Sequence, residues 1–343
     1  AIRELRMQRK GRTENWHQKM DRLRSRATEL EISINADLFG QARVIASTLV
    51  GASNKILDGQ HYSTLFIDEA AQALEPACWI AIRRANRVIL AGDHCQLPPT
   101  VKSIAALKAG LGKTLMERIV DSKPEVVTLL DTQYRMNEEI MRFSSSWFYD
   151  GKVKAAPITA HRGILDYDTP IEWVDDVAND DETVGETFVG ETFGRINKVE
   201  ARQVMELLQA YFEKIGKQRI IDESIDVGII SPYRAQVQYL RHLIKKEAFF
   251  KPFRHLLSVN TVDGFQGQER DVIIVSLVRS NNDGQIGFLR DLRRMNVAMT
   301  RARSKLIIIG DHETLAHHEF YKKLYEYLKS ATTRLYDTEA KII

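Results

Sequence analysis

Cysteine is nearly absent: Cys78 and Cys95 are the only two in 343 residues, which allows at most one disulfide and no cysteine-only zinc site. A disulfide scaffold is excluded, and a reducing compartment, the cytoplasm, is expected. Long apolar runs are missing as well. No stretch approaches the ~18 residues of a membrane helix, and the charged start, Ala1–Lys10, lacks the apolar centre of a signal peptide. An excess of one charge is also lacking: 49 Lys and Arg against 46 Asp and Glu leave +3. No global field therefore marks a nucleic-acid binder, and any basic surface has to be local. What is present is 44% hydrophobic content over 343 residues. That is the length of about two domains at ~150 residues each, with enough apolar side chains for a core in both. The first residue is Ala rather than Met, so a piece of a longer polypeptide is expected.

Residues 1–38 hold no Pro and one Gly, with nine Lys or Arg against four Asp or Glu in the first 30, the pattern of a long polar helix or stalk. Beyond it, apolar runs alternate with helical stretches. Arg43–Ser47, Thr64–Ile67 and Val88–Ala91 read as buried parallel strands of a first α/β unit, residues 39–130. Ile171–Val174, Val227–Ile230, Leu257–Asn260, Val272–Leu277 and Leu306–Ile309 read as strands of a second, residues 131–330. Residues 331–343 are expected to be a frayed tail. Asp166–Glu191 carries ten carboxylates and no Lys or Arg, and runs into the tandem Val184–Phe188 and Val189–Phe193, each reading VGETF. Like charges repel and extend a chain, so a solvated acidic loop is expected there, with competition against nucleic acid as the sharper alternative.

The strongest chemical signal is Leu65–Gln72, an apolar strand that delivers Asp68 and Glu69 at its C-terminal end, where α/β folds place ligands. One carboxylate there can hold Mg²⁺ while its neighbour orients and deprotonates an attacking water, as phosphoryl transfer requires. Taken alone, the pair is equally an acidic helix start favoured by the macrodipole. Val88–Ala91 then runs into Gly92-Asp93-His94-Cys95-Gln96-Leu97-Pro98-Pro99-Thr100, where Gln96 is placed to sense a γ-phosphate. His94 and Cys95 lack a second ligand pair, which argues against a metal site. Gln133-Tyr134-Arg135-Met136 and Met299-Thr300-Arg301-Ala302-Arg303 each supply an Arg able to stabilise charge on a γ-phosphate, although an isolated Arg is more often a surface ion pair. Between them lie Ser231-Pro232-Tyr233-Arg234 and Thr261–Asp271, in which Gly264 and Gly267 allow close approach to a ligand and Thr261 can grip a phosphodiester.

In this order, over Arg43–Asp311, the blocks resemble the superfamily 1 helicases, in the branch of the nonsense-mediated decay helicase and the Smubp-type enzymes. The DEAA block matches motif II, GDHCQLPP motif III, QYRM motif IV, TVDGFQGQE motif V and MTRAR motif VI. The resemblance implies two tandem RecA-like, P-loop NTPase, parallel-sheet α/β domains with ATP in the cleft between them. It implies Asp68 as the Mg²⁺ carboxylate, Glu69 as general base, Gln96 as γ-phosphate sensor, and Arg135 and Arg301 as arginine fingers. Tyr134 would stack on adenine, with Gly267 and Glu269 also on the nucleotide and Glu269 at the ribose. Ser47 and Thr48, in a motif Ib-like block, and Pro99, Thr100 and Thr261 would meet single-stranded DNA or RNA, with 5′ to 3′ travel.

One departure stands out. The family carries a Walker A loop upstream of motif II, whose amides and Lys cradle the phosphates, and none is found there. Gly112-Lys113-Thr114 has Leu107 where the pattern needs Gly, and it follows the motif II strand instead of preceding it. The expectation is therefore the C-terminal part of an ATP-dependent helicase or translocase. Its first motor domain is incomplete, the missing part lies in the same or another chain, and activity is negligible in isolation. The alternative is a nucleic-acid-binding or regulatory module that has lost catalysis.

Overall fold

Consecutive Val and Ile residues flanked by Gly and Asp favour strands covered on both faces, and the second half of the chain is built on them. The structure, a computed structural model, describes residue 2 and residues 14–176, 185–190 and 194–339. Two compact units are present: residues 1–92 with 101–115, and residues 93–100 with 116–343.

The first unit opens with the 28-residue helix Glu14–Gln41, free of Pro and carrying i,i+3 pairs such as Arg26–Glu29 at 3.1 Å. Most of its residues are exposed, while Met20 is buried. Residue 1 and residues 3–13 of the expected stalk lie outside the described residues. Strand β1 (Tyr62–Ile67), helix Glu75–Ile82 and strand β2 (Ala85–Leu90) form a βαβ unit with β1 and β2 parallel and Ile67 opposite Leu90. The expected strand at Arg43–Ser47 is not formed: residues 44–48 have no ladder, and Val44 is 87% exposed. A strand exists through its neighbours, and among the described residues none pairs with this run. Beyond β2 the chain forms two helices, Ile104–Lys108 and Leu115–Ser122. Gly110, at φ 92°, takes a left-handed turn that breaks the helix between them.

The second unit contains a five-stranded, all-parallel sheet in the order β5-β11-β10-β8-β9: β5 (Ile171–Asp175), β8 (Val227–Ile230), β9 (Leu257–Asn260), β10 (Arg270–Ser276) and β11 (Ala302–Gly310). Each expected strand is found within two residues, except that β11 begins four residues earlier. Alternation divides the core. Ile273, Val275, Leu306 and Ile308 pack with Ile140 and Phe143 of helix Glu138–Phe148, Met295 of Leu292–Met299 and Leu324 of Glu319–Glu339. Val272, Ile274, Ile307 and Ile309 pack on the other side with Leu208 and Phe212 of helix Lys198–Ile215 and Leu240 of Arg234–Lys246. Helices on both faces of a parallel sheet are the doubly wound α/β arrangement. Gly228 lets β8 sit close, since a Cβ there would lie 2.6 Å from Ile273.

Outside this sheet, β3 (Thr132–Gln133) pairs in parallel with β4 (Lys154–Ala155), and β6 (Thr187–Val189) pairs antiparallel with β7 (Gly194–Ile196). The hairpin occupies the end of the expected acidic loop. Glu186 is buried there between Arg195 and Arg279, so this carboxylate is neutralised, not solvated. Residues 177–184 and 191–193 lie outside the described residues, as do 340–343. Helix Glu319–Glu339 runs through most of the expected tail, anchored where it begins by Leu328 and Ala331 in the core.

Candidate functional site

In the first unit β1 ends on Asp68 and Glu69, both exposed. Glu69 sits at φ 51°, a left-handed conformation that costs a non-glycine residue ~1–2 kcal/mol. The turn is over-determined by its surroundings. Ala70 N–H donates to Ala91 O at 2.8 Å and Ala91 N–H to Ile67 O at 2.8 Å. Asp68 Oδ1 accepts from the Glu69 N–H at 3.0 Å, and Glu69 Oε2 accepts from Gln72 Nε2 at 2.5 Å. Two exposed carboxylates with oxygen lone pairs to spare are hard donors of the kind Mg²⁺ takes. Ser47 and Thr48 lie exposed in a compact turn whose Thr48 hydroxyl accepts from Gly51 N–H at 2.9 Å. Gly112–Thr114 stands between two helices with the Thr114 side chain buried, unlike a phosphate loop.

The remaining sequence-predicted residues belong to the second unit, where several converge. Leu97 is buried in the core and pins the 93–100 segment. Asp93 organises its turn: the carboxylate accepts from Cys95 N–H at 2.9 Å, Gln96 Nε2 at 2.8 Å and the Tyr149 hydroxyl at 2.6 Å. Gln96 is thereby oriented with Oε1 towards Arg301 Nη2, 3.5 Å away. Arg301 is almost fully buried, and its other donors reach Val297 O at 3.0 Å and Gln268 O at 3.3 Å. Pro99 is buried and Thr100 exposed.

Arg135 lies in the same cluster. Its Nε donates to Glu269 Oε2 at 2.6 Å and its Nη1 to Thr300 O at 3.0 Å, one residue from Arg301. Burial works to raise the Glu269 carboxyl, but the hydrogen bond and charge of Arg135, with Arg303 and Arg162, outweigh it and hold the group below the ordinary range. The Tyr134 ring projects outward, 69% exposed. Gln133 makes that projection possible, because its Oε1 accepts the Arg135 and Met136 N–H groups at 2.8 and 2.7 Å and so fixes the turn. Gly267 is exposed at φ 71° with open space where a Cβ would stand. Gly264 differs: a Cβ there would lie 2.4 Å from the Asn260 amide, so its small size serves packing. Thr261 Oγ1 accepts from Gly264 N–H at 3.4 Å, leaving the hydroxyl proton uncommitted to that bond.

Sequence reasoning missed several residues. Asn296, fully buried, donates to Cys95 O and Tyr149 Oη at 2.9 Å each and accepts from Ser144 Oγ, tying helix Leu292–Met299 to the Asp93–Leu97 turn. Its only sequence signal is a polar residue on the buried face of a helix. Glu200, in the first turn of helix Lys198–Ile215, is fully buried. It accepts from Ser276 Oγ at 2.6 Å and from Val278 N–H at 2.9 Å, holding Val278 at φ 71° just beyond β10. Asp93, His94 and Cys95 present ligand atoms within 4.8 Å of one another. Yet Asp93 is saturated with donors, and burial together with the Asp93 charge pushes the Cys95 thiol up to about 11. The thiolate that a soft metal needs is disfavoured.

A family model described as AAA domain matches residues 111–313, and a second with the same description matches residues 2–104. An uncharacterized ATP-dependent helicase of Methanocaldococcus jannaschii is 37% identical over 323 residues, covering 92% of this chain and 46% of that protein. DNA-binding protein SMUBP-2 of Mesocricetus auratus is 35% identical over 91% of this chain and 32% of its own length. The regulator of nonsense transcripts 1 homolog of Neurospora crassa is 34% identical, covering 89% and 27%. The chain thus spans less than half the length of these relatives.

Proposed function

The chain belongs to the superfamily 1 helicases, in the AAA-domain branch of the nonsense-transcript regulators and the SMUBP-2 proteins, and from this premise we propose that it is the C-terminal part of an ATP-driven motor on single-stranded DNA or RNA. The observation that carries the reading is the convergence of Gln96, Arg135, Glu269 and Arg301 in one polar cluster, two guanidiniums held by carbonyl and carboxylate oxygens that a triphosphate can replace.

In this reading Asp68 holds Mg²⁺, which neutralises phosphate charge when bound, and Glu69 orients and deprotonates the attacking water. Arg135 and Arg301 stabilise charge developing on the γ-phosphate. Gln96, steered by Asp93, exchanges its Arg301 contact for a phosphate oxygen and so reports whether the phosphate is there. Tyr134 offers its exposed ring to adenine, and Gly267 and Glu269 face the nucleotide, Glu269 at the ribose. Ser47 and Thr48 in the first unit, and Pro99, Thr100 and Thr261 in the second, are assigned to contacts with the strand. The phosphate-cradling loop comes from a segment upstream or from another chain, which agrees with a first-unit sheet of two strands whose Phe66 is 68% exposed. No helix among the described residues is long and apolar enough to cross a membrane. Both cysteines are free, as suits the reducing, cytoplasmic setting proposed here.

The test is nucleic-acid-stimulated ATP hydrolysis by this chain and by a polypeptide extended upstream through the next Gly-Lys-Thr/Ser loop. Turnover is expected only in the extended form, and Glu69→Gln there should abolish it while nucleotide binding persists. Retained turnover in the variant would remove Glu69 as the base. No turnover in either form would favour a binding module that has lost catalysis.

A further inference from the structure

Beyond the motif residues, the loop after β10 holds an aromatic side chain in an unusual setting. The 3-10 turn Gly287–Arg290 is pinned on both sides, with Ile286 and Leu289 each 3% exposed, and the buried Tyr321 hydroxyl donates to Leu289 O at 2.8 Å. Phe288 between them is 62% exposed. Most of this phenylalanine therefore faces outward from an anchored turn.

Its foundation is rigid. The Tyr233 ring, 6% exposed, stands 5.6 Å from the Phe288 ring, and Tyr233 Oη lies 3.5 Å from Arg279 Nη1. Arg279 is itself buried and ion-paired with Glu186 of the β6–β7 hairpin. Gly287, at φ 55°, is the residue that fits against this guanidinium, since a Cβ there would meet Arg279 Nη1 at 2.1 Å. The strained Val278, held by Glu200, turns the chain out of β10 immediately before Arg279. Two exposed cations flank the aromatic pair in sequence, Arg234 after Tyr233 and Arg290 after Phe288. A rigid ring with a backing aromatic, and exposed arginines one or two residues along the chain, is the combination by which proteins take single strands without reading sequence: bases stack on the ring, and phosphates meet the cations.

We infer that Phe288, backed by Tyr233, is a base-stacking platform for single-stranded nucleic acid, with Arg234 and Arg290 as its phosphate contacts. This deepens the nucleic-acid reading above and rests on it. The experiment measures binding of the full chain to fluorescein-labelled oligo-dT, to oligo-rU, and to an abasic strand of the same length and charge. Wild type should prefer the base-bearing strands. Phe288→Ala should weaken binding to them by about 5- to 100-fold and leave the abasic strand unchanged, while Phe288→Trp restores the preference. Arg290→Gln should instead weaken all three strands alike and reduce the salt slope by about one. If wild type binds no strand, the nucleic-acid reading falls and the platform with it. If wild type binds but Phe288→Ala loses nothing on the base-bearing strands, or loses equally on the abasic one, the platform is overturned and the broader reading stands.

Discussion

A single carboxyl illustrates how burial converts to pH dependence in this chain. Burial raises the Glu200 carboxyl well above its ordinary value, against the lowering hydrogen bond from Ser276, with Asp176 adding to the rise. A carboxyl raised in the folded state binds its proton more tightly there than in the unfolded chain. Its contribution to stability is therefore complete below the ordinary carboxylate range and is lost as pH rises through the folded value. Glu200→Gln, which mimics the neutral acid, should flatten that decline, read as urea midpoints from acid to neutral pH. Parallel profiles for the two proteins would show that Glu200 does not titrate in this way. Glu200→Ala should cost about 2–4 kcal/mol at acid pH and less as pH rises through the folded value, because Ser276 and Val278 N–H lose their acceptor and a cavity is left. Cys95 gives a second, independent reading of burial. With its thiol pushed up to about 11, its alkylation rate should climb roughly tenfold per pH unit through neutral and mildly alkaline pH, and a plateau near pH ~9 would contradict the assignment.

Among the elements, one interaction holds the Asp93–Leu97 turn to the helix that precedes Arg301. Asn296→Ala would leave Cys95 O, Tyr149 and Ser144 without their shared partner. A loss of about 2–4 kcal/mol in chemical denaturation is expected, and an unchanged midpoint would mean that Leu97 and the Asp93–Tyr149 hydrogen bond hold the turn without Asn296. Such a residue is hard to see in sequence, because an Asn in a helix is ordinarily a surface residue and only the fold reveals its neighbours. The strands were legible for the opposite reason. Runs such as Val272–Leu277 carry their own signal, since burial on both faces demands unbroken apolar residues. Arg43–Ser47 has a similar run but no ladder, which is set by pairing and not by composition. The β6–β7 hairpin was hidden by its charge: Glu186 reads as a solvated acid until Arg195 and Arg279 are placed beside it. The motif residues were legible as types, while their mutual arrangement, Arg135 on Glu269 and Gln96 on Arg301, depends on contacts over 100 residues apart in sequence.

At the scale of the whole molecule, the two units differ in how much sheet they bury. The central strands β8, β10 and β11 of the second unit carry side chains that are almost wholly buried, with helices packed on both faces. The first unit has a two-stranded parallel sheet in which Phe66 and Ile89 are 68% and 39% exposed. Two strands are marginal without further cover, and parallel strands lean on burial more than antiparallel ones. Local opening free energies should therefore differ strongly between the units. Native-state hydrogen exchange should find the slowest amides in β10 and β11, exchanging only through global unfolding, and amides of β1 and β2 exchanging orders of magnitude faster. A polypeptide extended upstream should slow β1 and β2 selectively if the added segment supplies neighbouring strands, with β10 and β11 little changed. Equal protection of both sheets in the present chain would mean that the Asp68–Glu69 turn already rests on a stable support and needs nothing further to hold it.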